Sequence, residues 1–328
     1  MKNTIHTALV TLDYSGTYWE RIAAALAPAK IIRAAADDGA AISRALKEAD
    51  VAILAGDACE RVRNEGIHLK WIHCNHAGLN ASARPEIFAR GTILTGGAGR
   101  SGPVLAEHVF FLLLALVYDA RTLEENQRHH AWENIYEERH GLYGKTMGIV
   151  GLGHTGREVA ARARAFGMRV LAYGRDFPDL PENVDLCYCA DRGDTLDELL
   201  KASDVVVLSI RLSDETHHLI DRRAFALMKN TAYLVNMARG QVVDEAALYG
   251  ALQDGQIAGA GSDVFREEPL SAQSPLWDLP NMIITPHCTP EMPDMPGNCV
   301  EIICDNIQRY RAGLPLRNRL DERDMYTY

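Results

Sequence analysis

Short apolar runs alternate with amphipathic segments along the whole chain. In the first third, such runs lie at residues 7–12, 30–34, 51–55 and 93–95. A second and more regular series lies at residues 146–150, 169–173, 205–210, 232–236, 257–262 and 282–285. Apolar runs of this length between helical segments are typical of buried parallel strands. The pattern predicts an α/β chain with two parallel sheets, the second a doubly wound nucleotide-binding sheet of six strands.

Two further features divide the pattern into domains. A glycine-rich stretch at residues 96–102 precedes a long helical pattern that runs to about Gln127, and we place a hinge there. An amphipathic helix predicted over residues 297–311 needs a surface to pack on, and we expect it to return to the first domain. The prediction is a discontinuous substrate-binding domain, residues 1–98 with 291–328, and a dinucleotide-binding Rossmann domain, residues 99–290.

Composition and charge narrow the possible functions. The 328 residues, 47% of them hydrophobic, suffice for two domains. A net charge of −10 without a block of Lys or Arg argues against a nucleic-acid partner. The longest apolar stretch, residues 109–117, is about half a membrane span, and the first residues do not resemble a signal peptide. We therefore expect no membrane association.

The cysteines indicate a reducing compartment. Seven are present, and the nearest two, Cys187 and Cys189, are too close in sequence for an ordinary disulfide. Their spacing does not match a zinc motif either, so the sequence predicts no metal site. We expect reduced thiols and a cytoplasmic protein.

The strongest chemical signal is a Gly-x-Gly-x-x-Gly loop between a predicted strand and a helical pattern. In this loop Gly151 permits a tight turn, Gly153 lets the backbone approach a pyrophosphate, and Gly156 allows helix and strand to pack closely. His154 and Thr155 fall at the start of the helix, whose N-terminus favours an anion. Three glycines in an ordinary turn would be the alternative, but the strand and helix around them favour a dinucleotide site.

The end of the next predicted strand bears on the choice between NADP(H) and NAD(H). An NAD site places a carboxylate there, whereas this chain has Gly174 followed by Arg175. A guanidinium without that carboxylate favours the ribose 2′-phosphate of NADP(H). If the strand extends two residues further, Asp176 binds the ribose instead, and NAD(H) stays open.

Three polar side chains follow successive predicted strands, where ligands of such sheets collect. Arg239 would hold the carboxylate of a 2-keto acid and polarise its carbonyl. His287 would protonate the carbonyl oxygen, and Glu268 would orient His287 and favour its charged form. Taken alone, Arg239 also suits a surface turn, Glu268 the edge of a loop, and His287 a buried histidine. Their order on one sheet predicts hydride transfer between a nicotinamide and a small 2-keto or 2-hydroxy acid.

The chain resembles the D-isomer-specific 2-hydroxyacid dehydrogenases in the segments GLGHTG, NMARGQVVDEAAL, SDVFREEPL and TPH. The resemblance implies two Rossmann-like or flavodoxin-like doubly wound domains with the active site in the cleft between them. It implies a homodimer with a helix near residues 107–121 in the contact. The pair Gly174 and Arg175 resembles the NADP-using glyoxylate/hydroxypyruvate reductase branch.

The resemblance also implies roles for further residues. In the Asn75–Asn80 loop it implies that backbone amides at Ala77 and Gly78, beside His76, hold the substrate carboxylate. On the cofactor side it implies contacts from the residues Ser209, Ile210, Arg211, Thr216, Met237, Ala238 and Asp263. Arg211 stands where the family usually has proline, so it either adds charge near a 2′-phosphate or points to water.

The segment after His287, residues 288–297, departs furthest from the family. It leaves the substrate open. In one interpretation Glu291 lies near the pocket mouth and Met292 or Met295 lines the pocket, which would suit a bulkier or less acidic substrate than glyoxylate. In the other, the prolines only redirect the chain to its final helix. Two other functions share the scaffold. One is oxidation of phosphite or formate. Glu268 speaks against formate, because formate oxidation needs no proton donor, but not against phosphite. The other is a non-catalytic, NAD(P)-sensing co-repressor, which the acidic composition disfavours.

Overall fold

Two β-sheets form the framework of the chain, and the computed structural model describes residues 3–133, 141–289 and 291–328. The strands are β1 (Thr7–Val10), β2 (Lys30–Arg33), β3 (Val51–Leu54), β4 (Trp71–Cys74), β5 (Ile93–Gly96), β6 (Thr146–Val150), β7 (Arg169–Gly174), β8 (Leu186–Cys189), β9 (Val205–Leu208), β10 (Tyr233–Asn236), β11 (Gly259–Ser262), β12 (Met282–Ile284) and β13 (Arg319–Leu320). The helices are α1 (Gly16–Leu26), α2 (Gly39–Leu46), α3 (Glu60–Glu65), α4 (Pro85–Phe88), α5 (Gly102–Val117), α6 (Ala120–Arg128), α7 (His154–Ala165), α8 (Asp197–Ala202), α9 (Arg222–Leu227), α10 (Glu245–Gln253) and α11 (Met295–Ala312).

The chain divides into two units. Unit 1 comprises Met1–Ser101, Leu212–Glu215 and Glu291–Tyr328, and unit 2 comprises Gly102–Arg211 and Thr216–Pro290. Unit 1 is therefore built from three separate parts of the sequence. Each unit contains one sheet with helices on both faces, which is the doubly wound α/β architecture that the sequence predicts.

The sheet of unit 1 has the strand order β2-β1-β3-β4-β5, with β13 added at the outer edge of β5. All pairs are parallel except β13 with β5. Every residue of β1, β3 and β4 is buried, as expected for central parallel strands covered on both faces. Ligands of such sheets collect at the carboxyl ends of the strands, so the loops after β4 and β5 are the ones to examine.

Helix α11 completes unit 1. Its apolar face, including Val300, Ile303 and Ile307, packs into one cluster with α1 and with β1, β3 and β4. Tyr310 stacks on Trp71 with ring centroids 5.3 Å apart. The opposite face of the sheet is covered by α2, α3 and α4.

The sheet of unit 2 has the order β8-β7-β6-β9-β10-β11-β12, and all its strands are parallel. The strand order reverses between β6 and β9, which is where a doubly wound sheet binds a dinucleotide. Helices α5 and α7 cover one face. Helix α5 approaches β11 so closely that a Cβ on Gly261 would lie 2.9 Å from the Cβ of Leu112, and this contact requires glycine.

The prediction of six strands in the second sheet is wrong, because β8 adds a seventh. Strands β4 and β13 were missed as well, and β13 is antiparallel. Strand β8 lies at an edge and is only partly buried, while β13 has two residues, so neither produces a clear apolar run. Strand β4 contains the polar His73, which is fully buried. Burial lowers the pKa of His73 to about 3, so the ring is neutral and its Nδ1 bonds to Thr95 Oγ1 at 3.0 Å.

The single long helix predicted up to Gln127 is also wrong. The chain breaks between α5 and α6 at Asp119, whose φ of 47° lies in the left-handed region. The Asp119 carboxylate accepts a hydrogen bond from the N–H of Thr122 and so caps α6. In the described part of the chain, no single helix has the length and apolar composition to cross a bilayer. Helices α5 and α6 meet that criterion only jointly, across a bend of 64°.

Candidate active site

The glycine-rich loop of unit 2 has a backbone that other residues cannot adopt. Gly151 follows β6 with φ of +93°, and a Cβ there would lie 2.6 Å from the N and Cα atoms of Ile210. A Cβ on Gly156 would lie 2.3 Å from the carbonyl oxygen of Gly151. Ser209 closes the turn by donating from its hydroxyl to that same oxygen at 2.6 Å. Strand, turn and helix therefore touch without intervening side chains.

Gly153 differs from its two neighbours in this loop. A Cβ on Gly153 would meet nothing within 4 Å, so the backbone here faces open space. Helix α7 begins directly afterwards at His154, with Thr155 in its first turn. The first N–H groups of a helix are free to bind an anion, and the helix dipole favours negative charge there. The loop thus fits a dinucleotide pyrophosphate.

The end of β7 carries the residues that the sequence predicts to meet the adenosine ribose. The strand ends at Gly174, so Arg175 is the first residue beyond it and Asp176 is exposed in the loop. A Cβ on Gly174 would lie 2.8 Å from the ring of Phe177, which leaves little room for a carboxylate side chain. The backbone of Arg175 is fixed because its carbonyl accepts from Asp191 N at 3.0 Å and from Cys189 Sγ at 2.9 Å.

Most of the remaining residues predicted to contact the cofactor lie in the segments after β9 and β10. Ser209 and Ile210 follow β9, and the hydroxyl of Thr216 donates to the carbonyl of Arg211 at 2.8 Å. Met237 and Ala238 follow β10, but their N–H groups already bond to Leu208 O and Asn236 Oδ1. Cofactor contacts from Met237 and Ala238 must therefore use carbonyl oxygens or side chains.

The three predicted catalytic side chains follow three strands that are neighbours in the sheet, β10, β11 and β12. Glu268 and His287 are in direct contact, with the Glu268 Oε2 oxygen 2.7 Å from His287 Nδ1. The second oxygen of Glu268 accepts from the N–H of Phe265 at 2.9 Å. This pairing leaves Nε2 of His287 as the nitrogen that faces away from the carboxylate. His287 is half exposed.

The pKa of Glu268 is lowered. Burial, the largest single influence, works in the opposite direction by raising it. The hydrogen bonds from His287 and from Phe265 N–H, together with the charges of His287 and Arg239, outweigh burial. Glu268 is therefore an anion at neutral pH, and the charge of Arg239 acts on it.

Arg239 lies in a turn that two further residues hold. The side chain of Asn236 accepts from Ala238 N at 3.0 Å and donates to Arg239 O at 3.1 Å. A Cβ on Gly240 would lie 1.9 Å from the carbonyl carbon of Phe265, so only glycine fits. The turn that carries Arg239 is thus pressed directly against the loop that leads to Glu268.

A buried carboxylate fixes the segment around His287. Asp263 is 2% exposed and accepts from Thr285 Oγ1 at 2.6 Å, Cys288 N at 3.0 Å and Thr289 Oγ1 at 3.3 Å. His108 on α5 lies between the two threonines, with Nε2 3.1 Å from Thr285 Oγ1 and Nδ1 2.9 Å from Thr289 Oγ1. We call these four residues, Asp263, His108, Thr285 and Thr289, the Asp263 network.

The Asp263 network encloses His287 on both sides in sequence. His287 has φ of 51°, in the left-handed region that a residue with a Cβ rarely adopts. Because Thr285, Cys288 and Thr289 are bonded to Asp263, the backbone of His287 is held in this conformation from both ends. A carboxylate has about four acceptor positions, so Asp263 retains capacity for one more hydrogen bond, as a contact to a carboxamide requires.

The predicted substrate loop belongs to unit 1. His76 follows β4, and its ring turns back toward Ala77 O at 3.0 Å and Asp57 Oδ1 at 3.5 Å. Gly78 has φ of +78°, and among the described residues its N–H has no acceptor. Ala77 is exposed. A free backbone donor in a short turn after a parallel strand suits an anion.

Comparison with known proteins identifies the family of the chain. Residues 110–289 match the family model described as D-isomer specific 2-hydroxyacid dehydrogenase, NAD binding domain. A glyoxylate reductase of Korarchaeum cryptofilum is 36% identical over 233 residues, which are 70% of this chain and 69% of that protein. The chain belongs to the D-isomer-specific 2-hydroxyacid dehydrogenases.

Two solved structures extend the similarity to the whole chain. A family member from Xanthobacter autotrophicus, crystallised with NADPH and MES, is 27% identical with a TM-score of 0.79, covering 98% of this chain and 99% of that one. An NADPH-dependent glyoxylate/hydroxypyruvate reductase from Sinorhizobium meliloti, crystallised with NADP and sulfate, is 26% identical with a TM-score of 0.76, covering 97% and 98%. The fold and family predicted from the sequence are confirmed, and the chain is an NAD(P)-dependent 2-hydroxyacid dehydrogenase.

Sequence reasoning missed several residues of this dehydrogenase. His108 and Thr289 carry no motif, because they belong to different segments and only the fold brings them together at Asp263. Thr285 lies within the recognised TPH segment, but its bond to Asp263 is not evident from the sequence. Asn236 and Gly240 do lie within a recognised segment, next to Arg239. A polar residue and a glycine so near a catalytic candidate could have been recognised in the sequence as residues that hold its turn.

Removal of the Thr285 hydroxyl tests the Asp263 network. Thr285→Val keeps the shape of the side chain but removes one of the two donors to Asp263 Oδ1 and the hydrogen-bond partner of His108 Nε2. We expect a loss of about 1–3 kcal/mol in the free energy of unfolding, measured by urea denaturation. Thr195→Val, at an exposed position, is the matched control and should change stability little. Equal stability of both variants would contradict the structural role of the network.

Proposed function

We propose that this dehydrogenase reduces small 2-keto acids to 2-hydroxy acids with NADPH, with Arg239, Glu268 and His287 as its catalytic residues. The observation that carries the proposal is the 2.7 Å contact between Glu268 and His287, together with the influence of Arg239 on the Glu268 carboxylate. A proton donor with a fixed carboxylate partner, beside a guanidinium, is the set of groups that carbonyl reduction requires.

The chemistry divides between cofactor and chain. The bound nicotinamide supplies the hydride. His287 provides the proton to the carbonyl oxygen from Nε2, because Nδ1 is bonded to Glu268. Glu268 stabilises the protonated ring and fixes its orientation. In the oxidation direction the same ring accepts the proton from the hydroxyl group.

Substrate binding needs a cation and neutral donors. Arg239 suits the planar carboxylate of a 2-keto acid, because a guanidinium can form paired hydrogen bonds with it. In unit 1, the N–H of Gly78 has no acceptor among the described residues, which supports the role implied by the family resemblance, in which the turn at His76, Ala77 and Gly78 binds a substrate carboxylate. The reductases similar to this chain act, by their names, on glyoxylate or hydroxypyruvate, and we propose substrates of that class.

Several features support NADP(H) over NAD(H). Strand β7 ends at Gly174, so Asp176 does not occupy the terminal strand position where a carboxylate would meet the ribose hydroxyls. Arg175 stands directly beyond the strand. A second arginine, Arg192, donates to the carbonyl of Phe177 and so lies beside the loop that follows β7. Two guanidiniums suit a 2′-phosphate.

The assembly and location remain predictions. Helix α5 exposes the aromatic rings of Phe111, at 57%, and nearby Tyr118, at 48%, which supports a homodimer with this helix in the contact. The cytoplasmic location rests on the reduced cysteines expected from the sequence. Neither affects the proposed chemistry.

Replacement of His287 tests the proposed proton transfer. His287→Asn keeps a residue that tolerates the left-handed backbone but has no titratable proton donor. We expect kcat for NADPH-dependent glyoxylate reduction to fall about 10²–10⁴-fold, while the Kd for NADPH is retained. His130→Asn changes another left-handed histidine, which is exposed next to α6, and serves as the control. Undiminished turnover in His287→Asn would remove this residue from the mechanism.

The pH profile tests the partner carboxylate. The pKa of Glu268 is lowered, so its charge is present throughout the neutral range and is lost only as the pH falls through that lowered value. Glu268→Gln removes this charge at every pH. We expect the alkaline limit of keto-acid reduction to move to lower pH, measured as kcat/KM from pH 5 to 10. A profile identical to that of the wild type would show that Glu268 does not support the proton donor.

Cofactor choice is tested at Arg175. Arg175→Ala should raise the KM for NADPH about tenfold or more, with little change for NADH, because only NADPH carries the phosphate. Arg222→Ala, which removes an exposed charge on α9, is the control. Equal losses with both cofactors would contradict the phosphate role and point to Asp176 as a ribose ligand for NAD(H).

A further inference from the structure

In the described part of the chain, one cation at the carboxyl edge of the unit 1 sheet has no counter-charge. Arg100 lies in the loop after β5 and is half-buried. Its Nη1 donates to the carbonyl oxygen of Asn75 and lies 3.9 Å from Cys299 Sγ. Among the described residues, no carboxylate lies within ion-pair distance of Arg100, and its Nε and Nη2 donors have no partner. A partly desolvated guanidinium without an anion favours binding one.

A second polar group nearby also lacks a partner. Asn75 is 9% exposed, and its Oδ1 atom is buried without a hydrogen bond among the described residues. Its Nδ2 donates to the hydroxyl of Tyr14 at 2.9 Å. A tyrosine hydroxyl can donate or accept, so the amide can rotate by half a turn and present N–H instead of oxygen. An unsatisfied buried amide costs free energy that a bound ligand would recover.

These residues adjoin the loop that we propose for the substrate carboxylate. Asn75 directly precedes His76, and the N–H of Gly97 donates to His76 O at 2.9 Å. The loop that carries Arg100 is therefore bonded to the loop that carries the free N–H of Gly78. Both follow adjacent strands, β4 and β5, at the edge where parallel sheets bind ligands.

The segment that departs furthest from the family, residues 288–297, leads into the start of α11, which contacts Arg100 and Ser101. Met295, the first residue of α11, lies with Sδ 3.4 Å from Ser101 Oγ. Asn298 donates from Nδ2 to the carbonyl of Arg100 at 3.3 Å, and Cys299 is buried against the guanidinium. The start of α11 thus holds the backbone of Arg100. We call Arg100, Asn75 and these α11 residues the Arg100 cluster.

We propose that Arg100, positioned by Asn75 and by the start of α11, is a specificity-determining residue that binds a second carboxylate at the far end of the 2-keto acid. This rests on the proposed function and goes beyond it, because glyoxylate has no such group. The substrate class that the cluster favours is the 2-keto dicarboxylic acids. Arg100 receives the distal carboxylate through Nε and Nη2, the two donors that have no partner among the described residues.

Two substrates of equal chain length test this assignment. The compounds 2-oxoglutarate and 2-oxopentanoate differ only in whether the fifth carbon is a carboxylate or a methyl group. We expect the wild type to show a higher kcat/KM for 2-oxoglutarate. Arg100→Met should lower the ratio of the two values about tenfold to hundredfold, and Arg100→Lys should retain part of it. Arg44→Met, which removes an exposed charge on α2 of the same unit, should leave the ratio unchanged.

Binding of substrate analogues separates this proposal from the proposed function. Glutarate should raise the melting temperature of the wild type more than pentanoate does, and Arg100→Met should abolish the difference. If no keto acid is reduced but glutarate still raises the melting temperature in a way that depends on Arg100, the proposed reductase activity is wrong and the carboxylate site is supported. If keto acids are reduced but Arg100→Met affects both substrates equally, or the wild type prefers 2-oxopentanoate, the distal-carboxylate role is wrong.

Discussion

The geometry around His287 and Glu268, two of the proposed catalytic residues, depends on the hydrogen bonds of the Asp263 carboxylate. This carboxylate is almost completely buried and is satisfied by donors from Thr285, Cys288 and Thr289. A buried charge is tolerated only when its hydrogen-bonding capacity is met. The chain after β12 must therefore follow one path, and that path places His287 in a left-handed conformation with its ring against Glu268. Helix α5 takes part through His108, which bonds to Thr285 and Thr289, so this core helix also supports the segment that carries His287.

Much of the architecture follows from local pattern. Central strands such as β3 and β9 are short, fully apolar and bounded by helical segments, so their position and type are evident in the sequence. The glycine loop after β6 can also be recognised in the sequence, because strand, turn and helix follow in a fixed order and each glycine meets a separate steric requirement. The pairing of Glu268 with His287 agrees with what their chemistry suggests, although their roles in turnover are still proposals.

Other features could not be predicted, for physical reasons. Strand β8 is at an edge, so only part of its surface is buried and its sequence carries no strong apolar signal. The break at Asp119 depends on one residue in a left-handed conformation within a pattern that otherwise continues as helix. The Asp263 network and the Arg100 cluster join residues far apart in sequence, through hydrogen bonds that no periodicity encodes.

The discontinuity of unit 1 has a consequence for how the polypeptide acquires its structure during synthesis. Unit 2 lies almost entirely between residues 102 and 290, whereas unit 1 needs α11 to cover the apolar face formed by α1, β1 and β3. A nascent chain emerges from the ribosome N-terminus first. Unit 2 can therefore fold while unit 1 still exposes the apolar face that α11 covers, so we expect residues 1–101 to need chaperones most until residues 295–312 have been synthesised.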